Sequence, residues 1–366
     1  MNEREAYIAL NMMEKIGPVG VRSLVTELGS VLAIFKADKA SLTRAQGIGP
    51  EVAGAIVNQR DSVNWAGEIE KADAVGAHIV TQIDTEYPKQ LLEIHDPPLA
   101  LYVWGTLETR DKHSIAVVGT RRPTHYGRET AALLSFQLAK AGLTVVSGLA
   151  QGIDMVAHES ALKASGRTLA VMGSGLDHIY PASNTDLAKS ISGQGAVITE
   201  FPFGRQPDKT TFPMRNRIVS GLSMGVLVVE AGFNSGALIT ANMALEQGRS
   251  VFAVPGRIDS HASVGTNGLI KSGAKLVITV EDVLQEFEFL LPQRIMESKG
   301  AKPESAPLLS ENELRLVTIL NDGEQDVDTL IRGSGLKPSE VSSLLLEMEM
   351  KRVVRMLPGR VVEMVR

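Results

Sequence analysis

The chain's 366 residues exceed what one hydrophobic core usually organises, so two or three domains are expected. Hydrophobic residues at 44% and charged residues at 22% are ordinary for globular protein and exclude a chain disordered throughout. The absence of cysteine removes disulfides, thiolate metal sites and a cysteine nucleophile together, and the net charge of −5 excludes a surface that coats nucleic acid everywhere. Any nucleic-acid site must be a local basic patch.

The first residues carry Glu3, Arg4 and Glu5 where an export signal would need an apolar run. No apolar stretch approaches bilayer length, so a cytoplasmic protein that makes no membrane contact is expected. Residues 1–75 read as a domain of short helices. In it, Ile16-Gly17-Pro18-Val19-Gly20 and Gly47-Ile48-Gly49-Pro50 each precede an apolar pattern of helical period, as in a helix-hairpin-helix (SAM-like) domain. Such a turn opens a helix N-terminus that can hold a phosphate, and it serves equally well to stop and restart packed helices.

Residues 76–290 alternate apolar β-rich runs with helical ones. The expected strands are Ile115 to Val118, Thr144 to Val146, Thr168 to Met172, Ala196 to Thr199, Val226 to Val229 and Val251 to Val254. Helical segments such as Thr130 to Lys140 and Ala237 to Gln247 follow them. This is the pattern of an α/β, Rossmann-like, mostly parallel sheet with helices on both faces, and ligands then belong at the strands' carboxyl ends. Residues 291–307 have linker composition, with Pro292, Gly300, Pro303 and Pro307. Residues 308–366 predict three helices and a hairpin about Pro358-Gly359, the order of a winged-helix-like domain. Its third helix, Pro338 to Met350, carries Glu340, Glu347 and Glu349, which disfavours duplex reading and leaves protein contact or a dispensable accessory.

The chemistry-bearing segments follow the strands. Gly119-Thr120-Arg121-Arg122-Pro123 joins glycine, a hydroxyl and two guanidinium groups, which suits phosphate; the alternative is a surface turn that happens to hold arginines. Ser147-Gly148 leads to Gly152-Ile153-Asp154, with Asp154 placed to cap a helix carrying His158. The two could form an acid/base pair, or serve as a helix cap and a packing histidine. Gly173-Ser174-Gly175 is a third glycine loop, but His178 stands where a dinucleotide fingerprint needs glycine, and no Walker sequence occurs, so no cofactor is expected. Phe203 to Arg217 is the most basic stretch, with Arg205, Lys209, Arg215 and Arg217, and Arg215-Asn216-Arg217 is read as the start of a helix. Phe212 is assigned to the core and Phe203 is left open between core and base stacking. Ser235-Gly236 begins another helix after the strand ending near Glu230. The spelling Gly221-Leu222-Ser223-Met224-Gly225 matches a nucleophile elbow, yet it follows a helix and precedes a strand, so Ser223 is structural.

Taken in order, these segments resemble the motif series of the DNA-processing protein A (DprA/Smf) family: Val118 to Arg121, Ser147-Gly148 with Gly152 to Asp154 and His158, Gly175 to Asp177 with Tyr180-Pro181, Phe212-Pro213 with Arg215 to Arg217, Val229 to Ala231 with Ser235-Gly236, and Val254 to Gly256 with Gly265 to Asn267. The resemblance implies a non-enzymatic mediator that binds single-stranded DNA, protects incoming DNA and loads the RecA recombinase during natural transformation. It also implies a homodimer through the Rossmann-like domain. Thr120 stands where the family more often has serine, and Ser174 where many relatives have cysteine.

The phosphate-binding set expected from loops and resemblance together is Gly119, Thr120, Arg121, Arg122, Ser147, Gly148, Gly173, Gly175, Lys209, Arg215, Asn216, Arg217, Ser235 and Gly236. Catalytic residues, metal and cofactor are not expected. The rival reading is a phosphoribohydrolase-like nucleotide-processing enzyme with Glu230 as its acid, although the loop Ala231 to Gly236 lacks the Pro-Gly-Gly-x-Gly-Thr spelling such enzymes use. A third is a protein scaffold whose basic loops serve solubility or docking.

Overall fold

The structure is a computed structural model that describes residues 1–287, 309–321, 323–351, 353–357 and 361–364. The chain divides into two compact units, Met1–Met296 and Glu297–Arg366. The proposed linker at 291–307 and the hairpin turn at Pro358-Gly359 lie outside the described residues. Among the described residues, no helix is long and apolar enough to cross a membrane.

The first unit begins with six helices: α1 (Glu3–Met12), α2 (Pro18–Leu28), α3 (Val31–Lys36), α4 (Lys39–Leu42), α5 (Pro50–Gln59) and α6 (Trp65–Ala74). Both Gly-Pro turns open a helix in the same way. Gly17 and Gly49 are the N-caps, and Pro18 and Pro50 take the first helical position, where a missing N–H costs nothing. These helices close over a core of their own that includes Leu10, Leu24, Ile34, Leu42 and Ile56. Ile8 and Ala72 pack instead with Ile79, Tyr102 and Val197, which fastens the helices to the sheet.

That sheet has nine strands among the described residues: β1 (Ala77–Thr81), β2 (Ala100–Gly105), β3 (Ser114–Val118), β4 (Thr144–Ser147), β5 (Thr168–Val171), β6 (Ala196–Thr199), β7 (Gly225–Val228), β8 (Ser250–Ala253) and β9 (Lys275–Leu276). Their spatial order is β1-β2-β6-β5-β4-β3-β7-β8-β9. From β6 to β9 every pairing is parallel, while β1 pairs with β2 and β2 with β6 antiparallel. The six strands read from sequence are present to within one residue at either end. β1, β2 and β9 are additions to that reading.

Parallel strands need crossover helices, and these cover both faces. α7 (Lys89–Leu92), α11 (Thr211–Gly221) and α12 (Gly236–Glu246) contribute to the core on the side of Ala116, Val118 and Val226. α8 (His125–Lys140), α9 (Ile153–Lys163) and α14 (Glu281–Leu284) contribute on the side of Ile115, Val117 and Leu227. Neighbouring residues of a strand point to opposite faces, so β3 to β7 are buried along their whole length, with Ser and Thr standing only at their ends. α10 (Thr185–Gln194) and α13 (Val264–Lys271) complete the unit.

In the second unit, α15 (Glu311–Leu320), α16 (Val327–Ser334) and α17 (Pro338–Met350) pack with a sheet ordered β10 (Gln325–Asp326), β12 (Val361–Met364), β11 (Val354–Leu357). Ser310 and Glu313 form a capping box at α15, and Asp326 caps α16 through Thr329 N–H. The Glu313 carboxylate is fully buried and is met by Lys351 Nζ at 2.7 Å, so the helix-start signature also neutralises a charge inside the unit.

Leu227 sits at the centre of the parallel sheet with no exposed surface. Leu227→Ala should lower unfolding free energy by about 2 to 5 kcal/mol, the cost of lost transfer energy plus a cavity. Urea denaturation measures it; a smaller change would mean that the neighbouring helices collapse onto the space.

Candidate nucleic-acid interface

Parallel pairing sends the carboxyl ends of β3, β4, β5 and β7 to one rim of the sheet, and the loops leaving them meet there. Between them lies an open groove of about 430 Å³. Gly119, Thr120 and Arg121 line it from the loop after β3, and Gly148, Ala150 and Asp154 from the segment after β4. Phe212, Pro213, Arg215 and Asn216 come from α11, and Asn234, Ser235 and Gly236 from the segment after β7. A smaller recess beside it shares Arg121, Gly148, Phe212 and Arg215 and adds Gly173 and Tyr180.

The loop after β3 is held from below. Thr120 N–H donates to Glu230 O at 2.7 Å, and the buried Glu230 carboxylate accepts from Thr124 N–H at 2.8 Å and Thr124 Oγ1 at 2.6 Å. Thr124 in turn caps α8. Gly119 leaves no room for a side chain, since a Cβ there would lie 2.5 Å from Ile153 Cγ1. The Arg121 side chain is exposed, with its guanidinium 5.1 Å from the centre of the Phe212 ring, and that ring lies 5.6 Å from Tyr180. A cation over an aromatic face is drawn to the ring quadrupole, which orients Arg121 across the groove.

Behind the groove a second guanidinium is buried. Arg215 is 4% exposed and its Nη1 donates to Val171 O at 2.5 Å. The guanidinium occupies the space that a Cβ on residue 148 would need, so only glycine fits there. Asp154 accepts from Gly148 N–H at 3.1 Å. Burial pulls the Arg215 pKa down to about 10, opposed by the charge of Asp154, so the group stays cationic at neutral pH. Burial likewise pushes Asp154 upward, with Arg215 opposing. His158, fully buried, is pushed down to about 3 by burial and then by Arg215, and it is neutral. Its Nδ1 meets Thr168 Oγ1 at 2.7 Å, which makes it a packing residue rather than half of an acid/base pair.

Of the expected phosphate-binding residues, Gly119, Thr120, Arg121, Gly148, Arg215, Asn216, Ser235 and Gly236 converge on the groove, and Gly173 on the adjoining recess. Arg122 and Lys209 are exposed but are not among the residues lining either space. Three expectations are corrected. Ser147 is buried and donates to Val117 O at 2.6 Å, so its hydroxyl is spent inside the sheet. Gly175 N–H is spent on Arg205 O at 2.9 Å, which ties its loop to the segment after β6. Arg217 is locked to Asp96 at 2.8 Å and Glu200 at 2.5 Å.

The physical reason for the last correction is helix phase. α11 begins at Thr211, not at Arg215, so Arg215 and Arg217 project about 200° apart and cannot face the same groove. The earlier start also brings Phe212 out of the core and half-buried into the groove wall. Asp154 is likewise inside α9, whose N-cap is Gly152. Phe203 resolves towards packing, edge-on to Tyr102 at 5.7 Å. Tyr180 and Asn234 were missed as site residues. Their signal was position alone, in loops that leave a strand end.

The fold and this rim define an open-grooved Rossmann-like protein that offers backbone N–H groups, guanidinium groups and an aromatic face to an extended anion. Comparison with known proteins agrees. Residues 78–288 match the family described as DNA recombination-mediator protein A, and residues 300–360 match the DprA winged helix domain. Protein Smf of Synechocystis is 33% identical over 98% of this chain and 98% of its own. The DNA processing protein DprA of Streptococcus pneumoniae is 45% identical over 57% of this chain and 73% of its own. Its X-ray structure superposes with a TM-score of 0.69 at 35% identity, covering 79% of this chain and 99% of that one. A structure describing the single-stranded DNA binding mode of DNA processing protein A from Helicobacter pylori matches with a TM-score of 0.52 at 31% identity, over 58% and 96%. The chain belongs to the DNA recombination-mediator protein A family, the family of DprA and Smf.

Because Glu230 is spent on loop architecture, Glu230→Ala should leave Thr124 N–H unpaired beneath the groove. The expected loss is about 1 to 3 kcal/mol of stability with faster proteolysis near Arg121 and Arg122. Unchanged stability and cleavage in a urea and limited-trypsin comparison would contradict that role.

Proposed function

We propose that the rim groove grips the backbone of single-stranded DNA, and that the protein is a non-enzymatic recombination mediator. In this reading it protects incoming strands in the cytoplasm and passes them to the RecA recombinase during natural transformation. The observation that carries the reading is the exposed Arg121 guanidinium held over Phe212, beside Tyr180, at a rim lined by glycine and helix starts. A guanidinium takes phosphate oxygens bidentately, and an aromatic face accepts any base, which is the chemistry of sequence-tolerant single-strand binding.

The residues assigned to the strand are Gly119, Thr120, Arg121, Gly148, Asn216, Ser235 and Gly236, with Tyr180 and Phe212 as base platforms. Arg215 supplies charge from behind. Arg122 and Lys209, exposed beside the groove, extend its positive field to phosphates further along. The Helicobacter pylori relative's described single-stranded DNA binding supports the same ligand class. A homodimer through the Rossmann-like domain fits the short edge strand β9 and its flank, where Leu276 and Ile278 are exposed.

The enzymatic alternative loses its acid. Glu230 is 2% exposed and bonded to Thr124, away from any reacting group a nucleotide would bring. Release of base from nucleoside monophosphates by the purified protein would restore that alternative.

Arg121→Ala and Lys209→Ala should each weaken binding of a labelled oligothymidylate. Each should also reduce the slope of log affinity against log salt by about 0.7, one phosphate contact on a single strand. Equal affinity and slope in variants with wild-type thermal midpoints would refute the assignment.

A further inference from the structure

The segment after β7 gives the rim groove Gly232, Asn234, Ser235 and Gly236 and leaves out the residue among them, Phe233. Phe233 is 79% exposed. Among the described residues it joins none of the apolar cores and makes no ring contact, so both faces of the ring are free. A lone apolar side chain on a surface needs no explanation by itself. Two features set this one apart.

The first is that a fixed turn presents it. Gly232 O accepts from Ser235 N–H at 3.1 Å, Ala231 O accepts from Gly265 N–H at 2.7 Å, and Ser235 Oγ caps α12 by accepting from Ala237 N–H at 3.3 Å. The backbone on both sides of Phe233 is tied down, so little freedom is lost when a flat group stacks on the ring. The second is the charge around it. Residues 231–236 include no acid, the Glu230 carboxylate is buried against Thr124, and Asp259 on the loop after β8 is engaged by Arg257 at 2.9 Å. A phosphate oxygen at Ser235 and Gly236, two and three residues beyond the ring, meets no competing carboxylate from these segments.

The ring already placed in the groove stands at its other end. Phe212 abuts Gly173, after β5, with Arg121 over one face and Tyr180 beside it. Phe233 follows β7. The strands between run β5-β4-β3-β7, so three strand spacings, about 14 Å, separate the two rings along the rim. A stacked strand covers that distance in about four nucleotides and an extended one in fewer.

We infer that the DNA strand crosses the rim from Phe212 to Phe233, over the ends of β5, β4, β3 and β7 in turn, and that Phe233 stacks on a base at the far end of the groove. The inference rests on the single-strand reading above and gives the bound strand its direction across the sheet.

Phe233→Ala removes the ring from a position exposed enough that the wild-type thermal midpoint should be kept. Its affinity for an oligothymidylate of about 16 nucleotides should fall about tenfold, the share of one stacked base. Phe233→Trp should bind that probe as tightly as the wild type, and its added emission should be quenched on binding, because stacking on a base quenches an indole. Trp65 and Trp104 pack with the core around Tyr102 and give the background, measured in the wild type. Wild-type affinity of Phe233→Ala, or added emission that the probe leaves unchanged, overturns the inference. So does a loss of affinity that comes with a changed molar mass in light scattering, which would assign the ring to a contact between copies of the chain. Arg121→Ala in the same titration decides the underlying reading separately: if it loses binding, the single-strand reading survives without Phe233, and if the wild type does not bind the probe, both fall.

Discussion

The site depends on one buried charge. Arg215 sits behind the rim with its guanidinium against Val171 O, in space left by the missing side chain of Gly148. A cation taken out of water is costly unless its surroundings are arranged for it. Here the arrangement reaches into three elements: a carbonyl at the end of β5, a glycine after β4, and the buried carboxylate of Asp154 in α9, which in turn holds Gly148 N–H. His158 lies close enough for Arg215 to depress its pKa, and it stays neutral. One side chain thus ties glycine, acid and histidine into a single constraint. It also reconciles a chain of net charge −5 with an anion groove, since a charge buried behind the wall acts on the groove at short range while the outer surface stays acidic.

The loop after β3 follows a second version of the same logic. Glu230 is buried at the end of β7, yet its carboxylate is used entirely by Thr124, and its own carbonyl accepts from Thr120. The backbone that presents Arg121 is therefore fixed by neighbours that never touch a ligand. Arg121 itself keeps one soft contact, the Phe212 ring, and carries no ion pair among the described residues. A guanidinium steered by a ring, with no competing carboxylate, can turn to a phosphate without first breaking a salt bridge.

The parallel sheet was legible because its strands are buried on both faces, which makes each one a short, continuous apolar run between glycines. β1 and β2 escaped because their identity depends on a distant partner: Tyr102 pairs with Thr199, a register no local pattern contains. The glycine loops were legible by composition, and their convergence followed from parallel topology. What did not follow was facing. A shift of four residues in the start of α11 reversed the fates of Phe212 and Arg217, sending the ring to the groove and the cation to Asp96 and Glu200. Periodicity locates a helix, but a Thr-rich, polar approach such as Asp208 to Thr211 disguises its first turn. There Asp208 accepts from the N–H groups of Thr210 and Thr211, so the start is set by a turn rather than by a cap on the helix.

The shape of the rim bears on what kind of ligand it can hold. A closed pocket recognises a small molecule by surrounding it, whereas this groove is open and runs on, through Pro213, into neighbouring space. Its donors are backbone N–H groups and guanidinium forks, and its apolar surface is the Phe212 ring with Pro213 and aliphatic side chains such as Ile239. None of these distinguishes one base from another by a fixed set of donors and acceptors, as readout of a duplex groove requires. Among the described residues of the second unit, α17 exposes Glu340, Glu347 and Glu349 around Leu346, a face whose charge does not suit a duplex backbone. A groove so built suits an extended ligand gripped by its backbone and by stacking faces rather than read base by base.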